Sequence, residues 1–418
     1  MRLAFIDPVF TWPPAGGAPL DLYHSILGLQ RLGYTVALFH GVQPGDPLSQ
    51  PVASDDLPFE CIPVETSDVW EKPEGLAAKY RAAVDAYNPD AVFLGFGFFL
   101  KPYLAQTLRS YPQIGRYYAY EPFCPRDFRR FKEGAVCPKN YLVTPRACTA
   151  CTMRAMGRHV LGGYPNPYAL EYVNARAHAP AYHRLLLDTL RRFDAIAVNN
   201  AHTRDLLGDL NPNIHVVGGG VDLDAFPYCS LSPRPPGEKT VLLMTGRGDD
   251  PTKGRHILMK AAAMLAERRQ DFELWITDKL AGEAPPWLRC LGWQTPKKLA
   301  QLYARADIAV FPSIWEEPFG LVALEAMAVG RPVVAADVGG LRDIVAHEKT
   351  GLRYPAMDTR ALVVALARLL DDPILRCRMG EAGHARAASE FHWPRIIEQR
   401  YAPMIEQVLA GAGKKKLS

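Results

Sequence analysis

No apolar run in this 418-residue chain reaches the ~18 residues that a membrane-crossing helix needs. The first stretch, MRLAFIDPVF, is broken by Asp7 and Pro8 too soon for a secretory leader, so the expected location is the cytoplasm. Excess charge of one sign is also missing. Lys plus Arg number 48 against 44 Asp plus Glu, a net +4, and no recognised nucleic-acid module accompanies the basic residues, so nucleic acid is not an expected partner. Cysteine is sparse, eight in all, and half of it falls between positions 124 and 151. What is present is ordinary for a soluble globular protein: 48% apolar and 22% charged residues, on a chain long enough for two domains.

One stretch organises the rest, FPSIWEEPFGLVALEAMAVGRPVVAADVGG from Phe311 to Gly340. It reads as a strand through Phe311, a loop to Phe319, a helix from Gly320 to Val329 and a second strand from Arg331 to Ala336. The free N–H groups of a helix beginning at Gly320, Leu321 would face outward with the positive end of its dipole behind them, an arrangement that receives phosphate. Glu317 lies before that helix start and Glu325 inside it, roughly 7.5 Å further along the axis. Two carboxylates flanking a phosphate-sized site suit a hydroxyl-rich ligand. Helix caps paired with a neighbouring Arg would be the alternative role for the two Glu residues.

Glu317 and Glu325, with seven residues between them, followed by Gly-Arg-Pro-Val-Val and by Gly339-Gly340, resemble the signature of the retaining nucleotide-sugar glycosyltransferases of family 4. The resemblance implies an α/β GT-B fold: two Rossmann-like, doubly wound domains facing across a cleft, with a C-terminal helix crossing back to the first. It implies that Glu317 contacts sugar hydroxyls, that Glu325 holds a ribose, and that Phe319, Gly320 and Leu321 receive a diphosphate. Arg247 and Lys253, just past the strand Thr240–Thr245, match the diphosphate-binding pair of that family and are expected to neutralise the leaving group. The similarity is strong from about Gly246 to Gly351 and looser before Val217.

Residues 1–220 read as an acceptor-binding domain. Strand Arg2–Ile6 runs into a loop with Gly16 and Gly17 and then a helix, an open α/β beginning. The resemblance sets the glycine pair beside donor phosphates, and Asp21 is a helix cap or an acceptor contact. Strand-like segments recur at Tyr34–His40, Asp90–Gly95, Asp194–Asn199 and Ile214–Val217. An irregular insertion near 120–163 carries Cys124, Cys137, Cys148 and Cys151, with gaps of 12, 10 and 2 residues. Its Cys-x-x-Cys spacing points to a structural zinc ahead of disulfides or an iron–sulfur cluster, with plain small core residues as the alternative. Some members of the resembled family carry similar cysteine-bearing insertions. From Lys101 to Val160 there are 11 Lys/Arg against 3 Asp/Glu, and Arg126, Arg129, Arg130 and Lys132 alternate with Phe128 and Phe131. That is a solvated basic face or a surface for an anionic or lipid-linked acceptor, with peripheral contact at the inner membrane face. Many relatives place a His-Asp pair where this chain has Tyr118-Ala119-Tyr120-Glu121, which makes Glu121 a candidate acceptor contact.

The Gly218–Asp222 and Ser230–Gly237 stretches form a linker; residues 230–391 read as a nucleotide-sugar domain and 392–418 as a crossover helix with a basic tail. The reaction implied by the resemblance is a hexosyl transfer to an acceptor hydroxyl with retained anomeric configuration, by front-face displacement and without a catalytic cofactor. A nucleotide-sugar epimerase of the same fold and a non-catalytic sugar-nucleotide scaffold are the competing readings.

Overall fold

The computed structural model of the chain describes every residue except Ala15, 43–56, 67–70, 162–166, 247–249, 280–282 and Ser418. It divides into two compact units, one made of Met1–Arg130, Cys137–Gly218 and Ile397–Ser418, the other of Phe131–Val136 and Gly219–Ile396. Among the described residues no helix is long and apolar enough to cross a membrane.

The first unit is built on strands β1 (Arg2–Asp7), β2 (Thr35–Val42), β3 (Glu60–Glu65), β4 (Ala91–Leu94) and β5 (Gln113–Tyr117). After an antiparallel hairpin, β6 (Phe131–Lys132) and β7 (Ala135–Val136), which groups with the second unit, come β8 (Ala195–Val198) and β9 (Ile214–Val216). The seven strands lie in the order β3-β2-β1-β4-β5-β8-β9, all pairs parallel. A parallel sheet is covered on both faces, so its central strands must be apolar throughout, and AVFL and AIAV in β4 and β8 are buried at every position. The chain returns to this unit at its end: Ile397–Tyr401 takes a π-type turn and Ala402–Leu417 is helical. Gly28 lets that return pack closely, since a Cβ there would stand 2.4 Å from Ile397 Cγ1.

The second unit carries β10 (Thr240–Met244), β11 (Phe272–Ile276), β12 (Leu288–Cys290), β13 (Ile308–Phe311), β14 (Val333–Ala336) and β15 (Gly351–Tyr354) in the order β12-β11-β10-β13-β14-β15, again all parallel. Its core runs from Val221 to Phe391 and includes every residue of β10, β13 and β14 except Thr240. The strand order reverses between β10 and β13, where Leu242 faces Ile308 and Leu243 faces Ala309. At such a reversal the loops after neighbouring strands part in opposite directions and leave a crevice at the strands' carboxyl ends. Here those loops are tied together by Ile314 N–H donating to the Thr252 carbonyl at 2.9 Å.

Six strands were not expected from the sequence: β3, β5, the hairpin pair β6 and β7, β12 and β15. The insertion is also less irregular than expected, because Pro145–Leu161 forms a 17-residue helix behind the short hairpin. The basic stretch is partly spent on its own structure. Arg130 is buried and donates to the Cys137 carbonyl at 3.1 Å, while Arg129 pairs with Asp127 at 3.0 Å and Lys132 with Glu133 at 3.0 Å.

Candidate active site

Lys253 ends the short turn Pro251–Lys253 that follows β10, and Glu317 lies in the loop after β13. Asp250 caps that turn, accepting the Thr252 N–H at 2.9 Å and its hydroxyl at 2.6 Å. Gly254 follows at φ +73°, and a Cβ there would collide with the Pro312 carbonyl oxygen, so only glycine lets the two loops approach. The result is a half-buried ion pair: Lys253 Nζ is 2.9 Å from both carboxylate oxygens of Glu317. Ser313 Oγ and Trp315 Nε1 each donate to Glu317 Oε2 at 3.0 Å, and the Lys253 ammonium lies 5.2 Å from the Trp315 ring centre. A carboxylate held by three side-chain donors has a fixed direction.

The helix Leu321–Ala328 begins beside this pair. It is apolar nearly all round, and Ala323 through Ala328 are all buried. Gly320 at its N-cap has φ +103° and no side chain to cap the first turn, so the leading N–H groups are left for another partner. Glu325 is the helix's one charged residue, 8% exposed, and its Oε2 is 3.5 Å from the Tyr303 hydroxyl. That hydroxyl also meets Thr245 Oγ1 at 2.6 Å and donates to the Val322 carbonyl at 3.0 Å. Burial without a cation pushes the Glu325 carboxyl up to about 8, with the Tyr303 hydroxyl opposing. A buried acceptor of this kind gains from a ligand hydroxyl.

A folded-state pKa above the unfolded one means that the native protein holds a proton the unfolded chain has released. Between about pH 4.5 and 8 this group therefore lowers stability as pH rises. Glu325→Gln should flatten the fall in melting temperature between pH 5 and 8, with a slope change of at most about 1.4 kcal/mol per pH unit; scanning calorimetry of both proteins across that range measures it. Parallel curves would remove Glu325 as the source.

The loop bearing Glu317 is supported from behind by Gly339 and Gly340. Gly339 N–H donates to Glu316 Oε2 and Gly340 N–H to the Glu317 carbonyl, both at 2.6 Å. Sequence reasoning saw this glycine pair as part of a signature and missed its role. It also missed Ser313, Trp315, Tyr303 and Thr245. Trp315 stands two residues before Glu317, so its proximity was open to view; Tyr303 gave no local signal.

Arg247 lies outside the described residues. Gly16, Gly17, Asp21 and Glu121 belong to the first unit, away in the chain from the group just described. Gly16 is the N-cap of the helix Gly17–Arg31 in extended backbone with open space around it, so it meets no steric demand for glycine there. Asp21 is not the cap. It sits in the second turn, buried, with Oδ1 accepting from Arg116 at 3.2 Å and Oδ2 from the Tyr401 hydroxyl at 2.8 Å. Glu121 is turned onto its own loop, accepting the N–H groups of Tyr118 at 3.1 Å and Ala119 at 3.0 Å.

All four clustered cysteines are free thiols, and among the described residues no group of three or more His, Cys, Asp or Glu is placed to hold a metal ion. The four-cysteine zinc centre expected from the spacing is not preformed among these thiols, although Cys137 is within electrostatic reach of Cys124 as well as of Cys148. Cys148 is within electrostatic reach of Cys137 and Cys151, yet it lies buried on the helix Pro145–Leu161 against the Thr144 hydroxyl at 3.6 Å. Burial pushes the Cys124 thiol up to about 11 and raises that of Cys148 as well, which keeps both protonated.

A doubly wound domain with a lysine–glutamate pair and an uncapped helix start at its strand reversal has the chemistry to receive a phosphorylated, hydroxyl-bearing ligand. Residues 232–386 match the family described as Glycosyl transferases group 1, and this part of the chain is a domain of that family. Over 211 residues the chain is 33% identical to a glycogen synthase of Mycobacterium tuberculosis, and over 232 residues 32% identical to a phosphatidyl-myo-inositol mannosyltransferase of Mycolicibacterium smegmatis. These matches cover 47% and 53% of this chain and 49% and 58% of the relatives, so the chain spans about half the length of the curated relatives it matches. Among solved structures, a sucrose-phosphate synthase from Thermosynechococcus elongatus superposes with a TM-score of 0.68 at 21% identity, covering 98% of this chain and 99% of the other. Anabaena HepE in complex with UDP-glucose gives 0.63 at 18% identity over 97% and 100%. The fold is GT-B.

Proposed function

We propose that the chain is a hexosyl-type glycosyltransferase that moves a sugar from a nucleotide diphosphate to an acceptor hydroxyl with retention of configuration. The observation that carries this reading is the Lys253–Glu317 pair, fixed by Ser313 and Trp315 at the strand reversal of a group 1 domain. In the proposed step Lys253 and the Gly320–Leu321 helix start take up the negative charge that grows on the leaving diphosphate, with Arg247 as a second cation. Glu317 orients the sugar through its hydroxyls, and Glu325 receives the ribose. No metal or organic cofactor is assigned a part. The UDP-glucose bound to the structural neighbour from Anabaena supports a nucleotide-sugar donor. The names of the two mycobacterial relatives support a glycan or lipid-linked acceptor, with the basic 101–160 stretch as its counter-charge and peripheral membrane contact as the setting.

The test is nucleotide release across a panel of UDP-, GDP- and ADP-sugars with mixed glycan and glycolipid acceptors, followed by NMR of the product's anomeric proton. One donor should turn over only with acceptor present and give a product of unchanged configuration. Donor conversion without acceptor would favour an epimerase, and tight donor binding without turnover a scaffold. An inverted product would end the retaining assignment.

A further inference from the structure

A groove of about 580 Å³ opens at the amino ends of the second unit's central strands. It is lined by the Ser230–Pro235 segment, by Lys239 and Val241 at the start of β10, and by Arg305 and Asp307 just before β13. Lys253 and Glu317 follow the carboxyl ends of those same two strands, so the groove and the candidate active site occupy opposite ends of the sheet.

Its charges do not balance within the fold. Glu273 is taken by Arg289 at 2.9 Å, Glu238 by Arg234 at 3.5 Å, and Asp307 by Arg234 at 2.6 Å and by the Val241 N–H at 2.7 Å. Among the described residues, Lys239, Arg305 and Arg331 then line the groove with no carboxylate in an ion pair. Arg331 is 1% exposed. Among the described residues its guanidinium donates to the carbonyl oxygens of Ala306, Cys229 and Val329, and its Nε has no hydrogen-bond partner. Asp307 is the carboxylate within electrostatic reach of it, and Arg234 and the Val241 N–H already share that group. The Trp275 ring completes the wall, with the Arg305 guanidinium 5.0 Å and that of Arg289 5.8 Å from its centre. Trp275 itself is 6% exposed and its Nε1 donates to Glu273 Oε2 at 3.1 Å, so what the groove offers a ligand is its exposed cations, which match a compact polyanion.

We propose that this groove binds a phosphate-bearing small molecule, with Lys239 and Arg305 contacting the phosphate and the buried Trp275 ring beside Arg305 reporting on it. The ligand is of a different class of contact from the donor: it meets side-chain cations at the amino ends of the strands and no helix start.

The probe is inorganic pyrophosphate, titrated calorimetrically into the full chain at fixed ionic strength. Wild type should show two sites. Lys253→Ala should remove one and leave the groove, in which pyrophosphate still changes tryptophan emission; Trp275→Phe should abolish that change. The double variant Lys239→Ala/Arg305→Ala should weaken the second site at least tenfold. Both residues are exposed, so an unchanged melting temperature will show that the fold is intact. A wild-type isotherm with one site, lost with Lys253→Ala, would overturn the proposal. So would a second site indifferent to the double substitution. Failure of the donor reading looks different: the Lys253-dependent site is then the one missing.

Discussion

Lys253→Ala should slow nucleotide release by roughly 100- to 1,000-fold, the cost of removing one well-placed donor from a developing anion. The effect belongs to kcat as well as to kcat/KM, because the diphosphate gains negative charge only as the sugar bond breaks. The ammonium is held at 2.9 Å by both oxygens of Glu317, which fixes its position in the site. Its loss leaves Glu317 with the Ser313 and Trp315 donors at 3.0 Å, and the side chain is 25% exposed. Stability should accordingly fall by no more than about 1 kcal/mol. Steady-state kinetics beside a thermal melt separate the two quantities. A variant that kept wild-type kcat would take Lys253 out of the chemistry, whatever its melting temperature.

Gly339→Ala should be among the most damaging single methyls in the second unit, beside Gly254→Ala, whose Cβ would collide with the Pro312 carbonyl oxygen. Gly339 has φ +43°, and an added Cβ would fall 2.1 Å from the Glu317 carbonyl oxygen and 2.6 Å from its nitrogen, both backbone atoms. Left-handed strain of about 1 kcal/mol and overpacking of about 2 kcal/mol add to roughly 3 kcal/mol. For a unit of this size that is a drop of roughly 6–12 °C in melting temperature. Because the clash pushes on Glu317 itself, turnover should fall as far as it does in Glu317→Ala. Gly16→Ala is the control: its φ is −176° and its Cβ would meet nothing within 4 Å, so the melting temperature should not move. If Gly339→Ala melted with the wild type, the backing given to the Glu317 loop would be wrong.

The candidate site was legible where its parts are consecutive. Phe311 through Glu325 carry strand, loop, helix start and both carboxylates in one run, and the strand after it begins within a few residues of its expected place. Lys253 was legible through the resemblance, and the topology that brings it to Glu317 follows from the strand reversal. Elements that break local rules were not legible. β3 is an edge strand with Pro63 inside it and a mixed exposure pattern, tolerable only because one side of it makes no ladder. β5 contains Gly115 and Arg116, and Arg116 is fully buried because Asp21, Asn199 and the Val217 carbonyl meet it from distant parts of the chain. Asp21 reads as a cap for the same reason: its partners lie 95 and 380 residues away. The cysteine spacing suggested a metal but not that Cys148 and Cys151 share the helix Pro145–Leu161, with Cys137 within electrostatic reach of both Cys124 and Cys148.

The most direct test of the account is a crystal structure of the chain with the nucleoside diphosphate that the donor panel identifies. The account predicts phosphate oxygens within hydrogen-bond reach of Lys253 Nζ and the Gly320–Leu321 N–H groups, and a ribose hydroxyl on Glu325. A nucleotide bound elsewhere, or one that leaves the Lys253–Glu317 pair and Glu325 untouched, would contradict it.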